Sequence, residues 1–188
     1  MAKKTINIVT SNHRGKIRGK AESHVVGMME SWNYCNLDRV SMLDPEEWFV
    51  KRYKPFGIDV YKMLNDLKVP IIVQKPWKYL ENQQVYPLKD IIKAFGSKYF
   101  TCSQAYLLAL ALYEGYEKVK LVGWYNSVPG GTDFDWNSIV WDEIMCQNYW
   151  VGFLRAKGVE VTGGNVGKPI TPDNETNPVH ADPCNAGG

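Results

Sequence analysis

Three short segments of the chain combine residue types that suit ligand chemistry. The first is Thr10-Ser11-Asn12-His13-Arg14-Gly15-Lys16, the start of a Gly-punctuated loop over 11–20. Such a loop can offer backbone N–H groups and cations to a phosphate, with Ser11, Asn12, His13, Arg14, Lys16 and Arg18 as the candidate contacts. The first twenty residues hold six basic side chains (Lys3, Lys4, Arg14, Lys16, Arg18, Lys20) and no acid, whereas the whole chain is only +2. The positive field is therefore local, as an anion site requires. The spacing is neither GxGxxG nor a Walker A loop, and a solvated basic loop fits the residues equally well.

The second segment, Phe100-Thr101-Cys102-Ser103-Gln104, opens an apolar stretch of helical character. A hydroxyl there caps the helix, and Thr101, Cys102 and Ser103 can also line a ligand crevice. The third is Gly123-Trp124-Tyr125-Asn126, which follows a short β-branched run. Gly123 lets a ligand approach the backbone, and Trp124 and Tyr125 can stack on a base or sugar, although an aromatic at a strand end is more often packed.

Other candidates carry less. Asp133-Phe134-Asp135 has the Asp-x-Asp form that holds a metal with a nucleotide diphosphate, but three letters in a Gly-rich loop are mostly coincidence. His24 reads as a structural side chain on a helix. Glu143 and Gln147 fall one helical turn apart and read as a polar stripe. Ser103 has no His/Asp partner at nucleophile-elbow spacing. The four cysteines, Cys35, Cys102, Cys146 and Cys184, show no CxxC or Cys/His pairing, so free thiols and no metal or cofactor are expected.

Elements that would position these segments alternate along the chain. Strands are expected at 5–10, 38–43, 69–74, 119–122 and 159–162, and helices at 21–32, 57–67, 88–95, 101–115 and 137–157, with a further helix start at Asp44-Pro45-Glu46-Glu47. The stretch 75–87 reads as irregular. The alternation predicts one α/β domain over 1–162: a Rossmann-like, mostly parallel five-stranded sheet with helices on both faces. In such a sheet, ligands bind beyond the carboxyl ends of the strands, where all three segments should meet. Residues 163–188 are rich in Gly, Pro, Asn and Asp and read as an extended C-terminal arm lying on a neighbouring subunit or a larger assembly.

The segment from Phe100 to Tyr106, the Ala/Leu helix after it, Glu114-Gly115-Tyr116-Glu117-Lys118-Val119-Lys120-Leu121-Val122-Gly123 and Tyr149-Trp150-Val151-Gly152-Phe153 also carry a family resemblance. They resemble a Rossmann-like group common in bacteriophage genomes, and the same core is similar to bacterial sialyltransferases and motility-associated flagellar glycosyltransferases. The resemblance spans roughly 5–162 and is most specific over 100–123. It implies a CMP-sugar type of ligand, with Ser11 and Asn12 in the phosphate loop, Cys102 and Ser103 at the nucleotide and Gly123 under the sugar or base. The chain departs from those transferases in three places. Thr-Ser-Asn-His-Arg-Gly replaces their Gly-x-Gly-Pro-Ser type loop, Tyr125 stands where they commonly carry an acid, and the one histidine after residue 24 is His180 in the arm. The implied protein binds a nucleotide or nucleotide sugar with the transfer reaction in doubt. The alternative is a non-enzymatic virion or assembly component that embraces a neighbouring copy through its arm.

Composition narrows the classes. With 13% aromatic residues and near-zero net charge, the 188-residue chain has the means to bury a core. Its most apolar run, 105–113, is far too short to cross a membrane. Met1-Ala2-Lys3-Lys4 leads into a strand-like run rather than an apolar leader, which predicts a cytoplasmic protein. The Lys/Arg distribution is too sparse for nucleic acid. Trp136, Trp141 and Trp150 cluster around the last helix, where exposed aromatics would mark a subunit interface.

Overall fold

The computed structural model describes residues 3–10, 21–26, 37–124 and 136–163. Residues 1–2, 11–20, 27–36, 125–135 and 164–188, which include the expected basic loop and C-terminal arm, lie outside the described residues. Seven strands form one sheet: β1 (Thr5–Val9), β2 (Glu22–Val26), β3 (Arg39–Met42), β4 (Ile71–Val73), β5 (Gln83–Val85), β6 (Lys118–Val122) and β7 (Glu160–Gly163). Every neighbouring pair is parallel. The order is β5-β4-β3-β2-β1-β6-β7. Among the described residues five α-helices accompany it: α1 (Glu46–Tyr53), α2 (Val60–Asp66), α3 (Leu88–Phe95), α4 (Ser103–Tyr113) and α5 (Trp136–Ala156).

The sequence-based α/β class with a parallel sheet stands, with two strands more than expected. Residues 21–32 read as a helix because Val25, Met28, Met29 and Trp32 fall at helical spacing. Instead, Glu22–Val26 is a strand paired with both β1 and β3. A five-residue segment in the middle of a parallel sheet gains two backbone ladders, which outweighs a weak local periodicity. The second addition, β5, hides in the stretch read as irregular. Its Gln83-Gln84-Val85 has no apolar signature because it pairs with β4 alone. Gln83 reaches back along the chain, where its amide accepts from the Trp77 N–H at 2.7 Å and donates to the carbonyls of Trp77 and Leu80 at 2.8 and 2.7 Å.

Alternation along the strands divides the core into two layers. On one face, Ile6 and Ile8 of β1, Ile72 of β4, and Val119 and Leu121 of β6 pack under α3, α4 and α5. On the other, Val40 and Met42 of β3 and Ile71 and Val73 of β4 pack against Phe49 and Tyr53 of α1 and Val60 and Leu64 of α2. The helix α4 is apolar all round, with Ala105 and the run Leu107–Ala111 buried, as a helix between a sheet and a neighbouring helix must be. Asp59 caps α2 by accepting the Lys62 N–H at 3.0 Å, and α3 ends in left-handed Gly96.

The amino edge of the sheet is held by charge. Arg39, at the start of β3, donates two bonds of 2.7 Å to the Glu114 carboxylate just after α4, and a third of 2.9 Å to the Tyr116 hydroxyl. Tyr116 in turn donates to Glu22, and Lys4 sits 4.2 Å above its ring. These contacts fix the C-terminus of α4 at the amino edge. Helix α4 therefore begins at the opposite edge, as does α5, whose C-terminus leads into β7.

Candidate functional site

The order of the strands locates the place where a ligand can enter. From β1 the chain builds outward through β2, β3, β4 and β5, then returns to place β6 on the other side of β1. The strand after β1, β2, and the strand after β6, β7, lie on opposite sides of the β1–β6 pair, and in open parallel sheets such a reversal of order opens a crevice. Thr10 directly follows β1 at this point and Gly123 directly follows β6.

The two strand ends are tied together. The Thr10 N–H donates to the Val122 carbonyl at 3.0 Å, and the Thr10 hydroxyl donates to the Gly123 carbonyl. Gly123 has φ of 72°, a left-handed conformation that favours glycine and turns the chain sharply off the sheet. Trp124 follows directly. Its indole N–H donates to the Ile8 carbonyl at 3.0 Å and its ring is 3% exposed, so it belongs to the core beneath the crevice and offers no open stacking face.

The start of α4 reaches the same edge. Cys102, not Thr101 or Ser103, is the N-cap residue, and no side chain caps the helix. The hydroxyl that sequence reasoning assigned to capping is engaged elsewhere: Thr101 donates to the Asp142 carbonyl of α5 at 3.1 Å. Thr101 remains exposed, Ser103 is half-buried and Cys102 is buried. The remaining sequence-based candidates, Ser11, Asn12, His13, Arg14, Lys16, Arg18 and Tyr125, lie outside the described residues, as do Asp133, Asp135 and His180. The last helix also departs from expectation. Trp150, one of the tryptophans that would mark an interface if exposed, is fully buried and donates its N–H to the Tyr99 carbonyl at 2.7 Å.

Two carboxylic acids that sequence reasoning passed over also stand at the carboxyl edge. Asp44 follows β3, and Glu143 projects from the N-terminal half of α5. Both carboxyls are pushed above their ordinary range by the protein packed around them, and the charge of Asp44 raises Glu143 further. Each was visible in the sequence as something plainer, a helix start and a polar stripe. A cleft of about 300 Å³ adjoins Asp44 beyond the carboxyl ends of β3 and β4, lined also by Glu47, Gln74, Lys75 and Trp77.

His24 is a strand residue, not a helical one. It lies within β2, 2% exposed, with Nε2 2.6 Å from the Ser41 hydroxyl oxygen. Burial, then the nearby Arg39 charge, pushes its pKa down to about 3, so the ring is neutral at ordinary pH. Its place is structural, inside the layer under α4. Among the described residues no group of three or more His, Cys, Asp or Glu side chains could hold a metal ion, and no helix is long and apolar enough to cross a membrane.

No family model matches the chain, and neither a curated protein nor a solved structure matches it.

Proposed function

We propose that this protein binds a nucleotide or nucleotide sugar at the carboxyl edge of its sheet, over the ends of β1 and β6. One observation carries the reading: the strand order reverses between β1 and β6, and the sequence places its cationic turn and its Gly123 bend directly after these two strands. In this reading the turn at 11–20 holds the phosphate with Ser11, Asn12 and the cations Arg14, Lys16 and Arg18. Thr101 and Ser103 meet the nucleotide from the start of α4, and the Gly123 bend lets the ligand approach the backbone. Trp124 acts from beneath, fixing the floor through its bond to Ile8. Asp44 and Glu143 are the carboxyls suited to accept a proton from a sugar hydroxyl, since each holds its own proton more tightly than an open carboxylate does.

Thermal unfolding of the whole chain with CMP, UDP and their sugar conjugates tests the proposal. A ligand at a hundred times its dissociation constant stabilises the folded state by about 2.7 kcal/mol, a readily measured rise in Tm. The response should weaken in Arg14→Ala/Arg18→Ala, and the loss should be larger at low salt. A flat response across the panel, or an unchanged affinity in the double variant, overturns the reading.

A further inference from the structure

A second chemical feature lies where α4 meets α5. Cys102, the N-cap of α4, and Cys146, midway along α5, are both free, and each sulfur contacts the backbone next to the other: Cys146 meets the N–H of Thr101, and Cys102 the carbonyl of Glu143. The surroundings are asymmetric. Cys146 accepts the Thr101 N–H at 3.4 Å and, as a thiol, donates to the Tyr99 carbonyl at 3.3 Å; Cys102 lies 3.8 Å from the Glu143 carbonyl oxygen. The neighbouring Cys102 thiol and the Thr101 N–H lower the Cys146 pKa against the opposing effect of burial. The adjacent Cys146 sulfur, and then burial, push the Cys102 thiol up. Cys146 is therefore the more readily ionised of the two thiols, and Cys102 stands beside it.

We propose that Cys102 and Cys146 form a redox-active dithiol that hydrogen peroxide converts into a disulfide joining α4 to α5. The Cys146 thiolate attacks one peroxide oxygen, the O–O bond breaks, and hydroxide leaves with a sulfenic acid on Cys146. Cys102 then attacks that sulfur; the S–S bond forms as the S–O bond breaks, and the Cys102 proton departs in water. The hydroxide takes up the proton that Cys146 had released. Two thiols lose two electrons, and one peroxide becomes two waters.

Burial selects the oxidant. Cys102 is 7% exposed and Cys146 fully buried, so a water-sized peroxide can reach the pair far more readily than a bulky disulfide such as oxidised glutathione. The disulfide would pin the start of α4 to α5 at the carboxyl edge of the sheet. It depends only on the two sulfurs and stands apart from any nucleotide reading.

The test uses the full-length protein. After peroxide treatment, free thiols are alkylated, the chain is digested, and the peptides are mapped by mass. The expected product is a Cys102–Cys146 linked peptide, lighter by about 2 Da than its two parts and restored by dithiothreitol. With oxidised glutathione at equal concentration, the same link should form at least about tenfold more slowly. In Cys102→Ser, dimedone should capture a sulfenic acid on Cys146. Finding both thiols free after peroxide, finding them linked instead to Cys35 or Cys184, or finding Cys146 as sulfonic acid with no link overturns the proposal. If Cys102→Ser does not fold, the mapping of the wild-type chain decides alone.

Discussion

The Thr10 hydroxyl donates its hydrogen bond to the carbonyl oxygen of Gly123 and so joins the ends of β1 and β6 where the strand order reverses. Thr10 is 4% exposed, and the left-handed turn at Gly123 holds its carbonyl toward that hydroxyl. The bond sets the spacing of the two chain exits that bound the proposed ligand crevice.

Thr10→Val keeps the shape of the side chain and removes the donor, leaving a carbonyl in a nearly closed place. The expected loss is about 1 kcal/mol of stability, read from urea unfolding. Nucleotide binding, where the panel detects it, should weaken further than this loss explains, because the crevice loses its spacing. A variant as stable as wild type would show that the bond is not made in solution.

At the other edge, Arg39 and Glu114 form a two-bond pair whose side chains are 15% and 29% exposed. Arg39→Met and Glu114→Gln should each destabilise the protein, and the double variant should be less destabilised than the sum. The coupling expected for a charged, partly buried pair is about 1–3 kcal/mol. Additive effects would mean that the pair contributes nothing beyond its separate packing. Ligand binding should be unchanged in both variants, since this edge is remote from the crevice.

Much of the arrangement was legible from local pattern. Five strands and the Ala/Leu stretch of α4 declare themselves because each is a short apolar-rich segment bounded by Gly or polar turns. β2 did not, since its two flanking partners lie elsewhere in the chain and four apolar residues at helical spacing pointed the other way. β5 is polar because an edge strand with one partner needs little apolar surface. Within the site, Gly123 stood out as a glycine at a strand end. Asp44 and Glu143 did not, because their relation exists only once the end of β3 and the start of α5 are folded toward the same edge. Trp124 was expected to stack on a base or sugar, with packing as the plainer alternative, and no periodicity could say that its ring turns into the core.

His24 makes stability depend on pH in a set direction. Its folded pKa, about 3, lies below the ordinary value of 6.5, so between these values the unfolded chain binds the extra proton. The stability this neutral histidine contributes is complete above about pH 6.5 and is lost as pH falls toward 3, at up to about 1.4 kcal/mol per pH unit. Urea midpoints at pH 7 and 5.5 should differ in wild type and differ less in His24→Gln, whatever that variant's absolute stability. An undiminished slope would place the titration elsewhere.

Asp44 and Glu143 run the opposite way. Their folded pKa values are raised, from ordinary values of 3.8 and 4.5, so the folded state holds protons that the unfolded chain releases. Their contribution is complete below those ordinary values and is lost as pH rises through the folded ones, which leaves each a liability when ionised. Glu143→Gln removes the liability and should therefore stabilise the protein at pH 7, by up to about 0.5 kcal/mol, with the gain vanishing near pH 4. Asp44→Asn should shift the Glu143 titration downward, as read from its carboxyl carbon by NMR, because only burial then remains to raise it. A side chain retained at a cost to stability is what a working site requires. The discriminating result is Glu143→Gln becoming more stable while its response to nucleotide sugars falls; a variant that is more stable and binds as before would leave the carboxyl with no part in the ligand site.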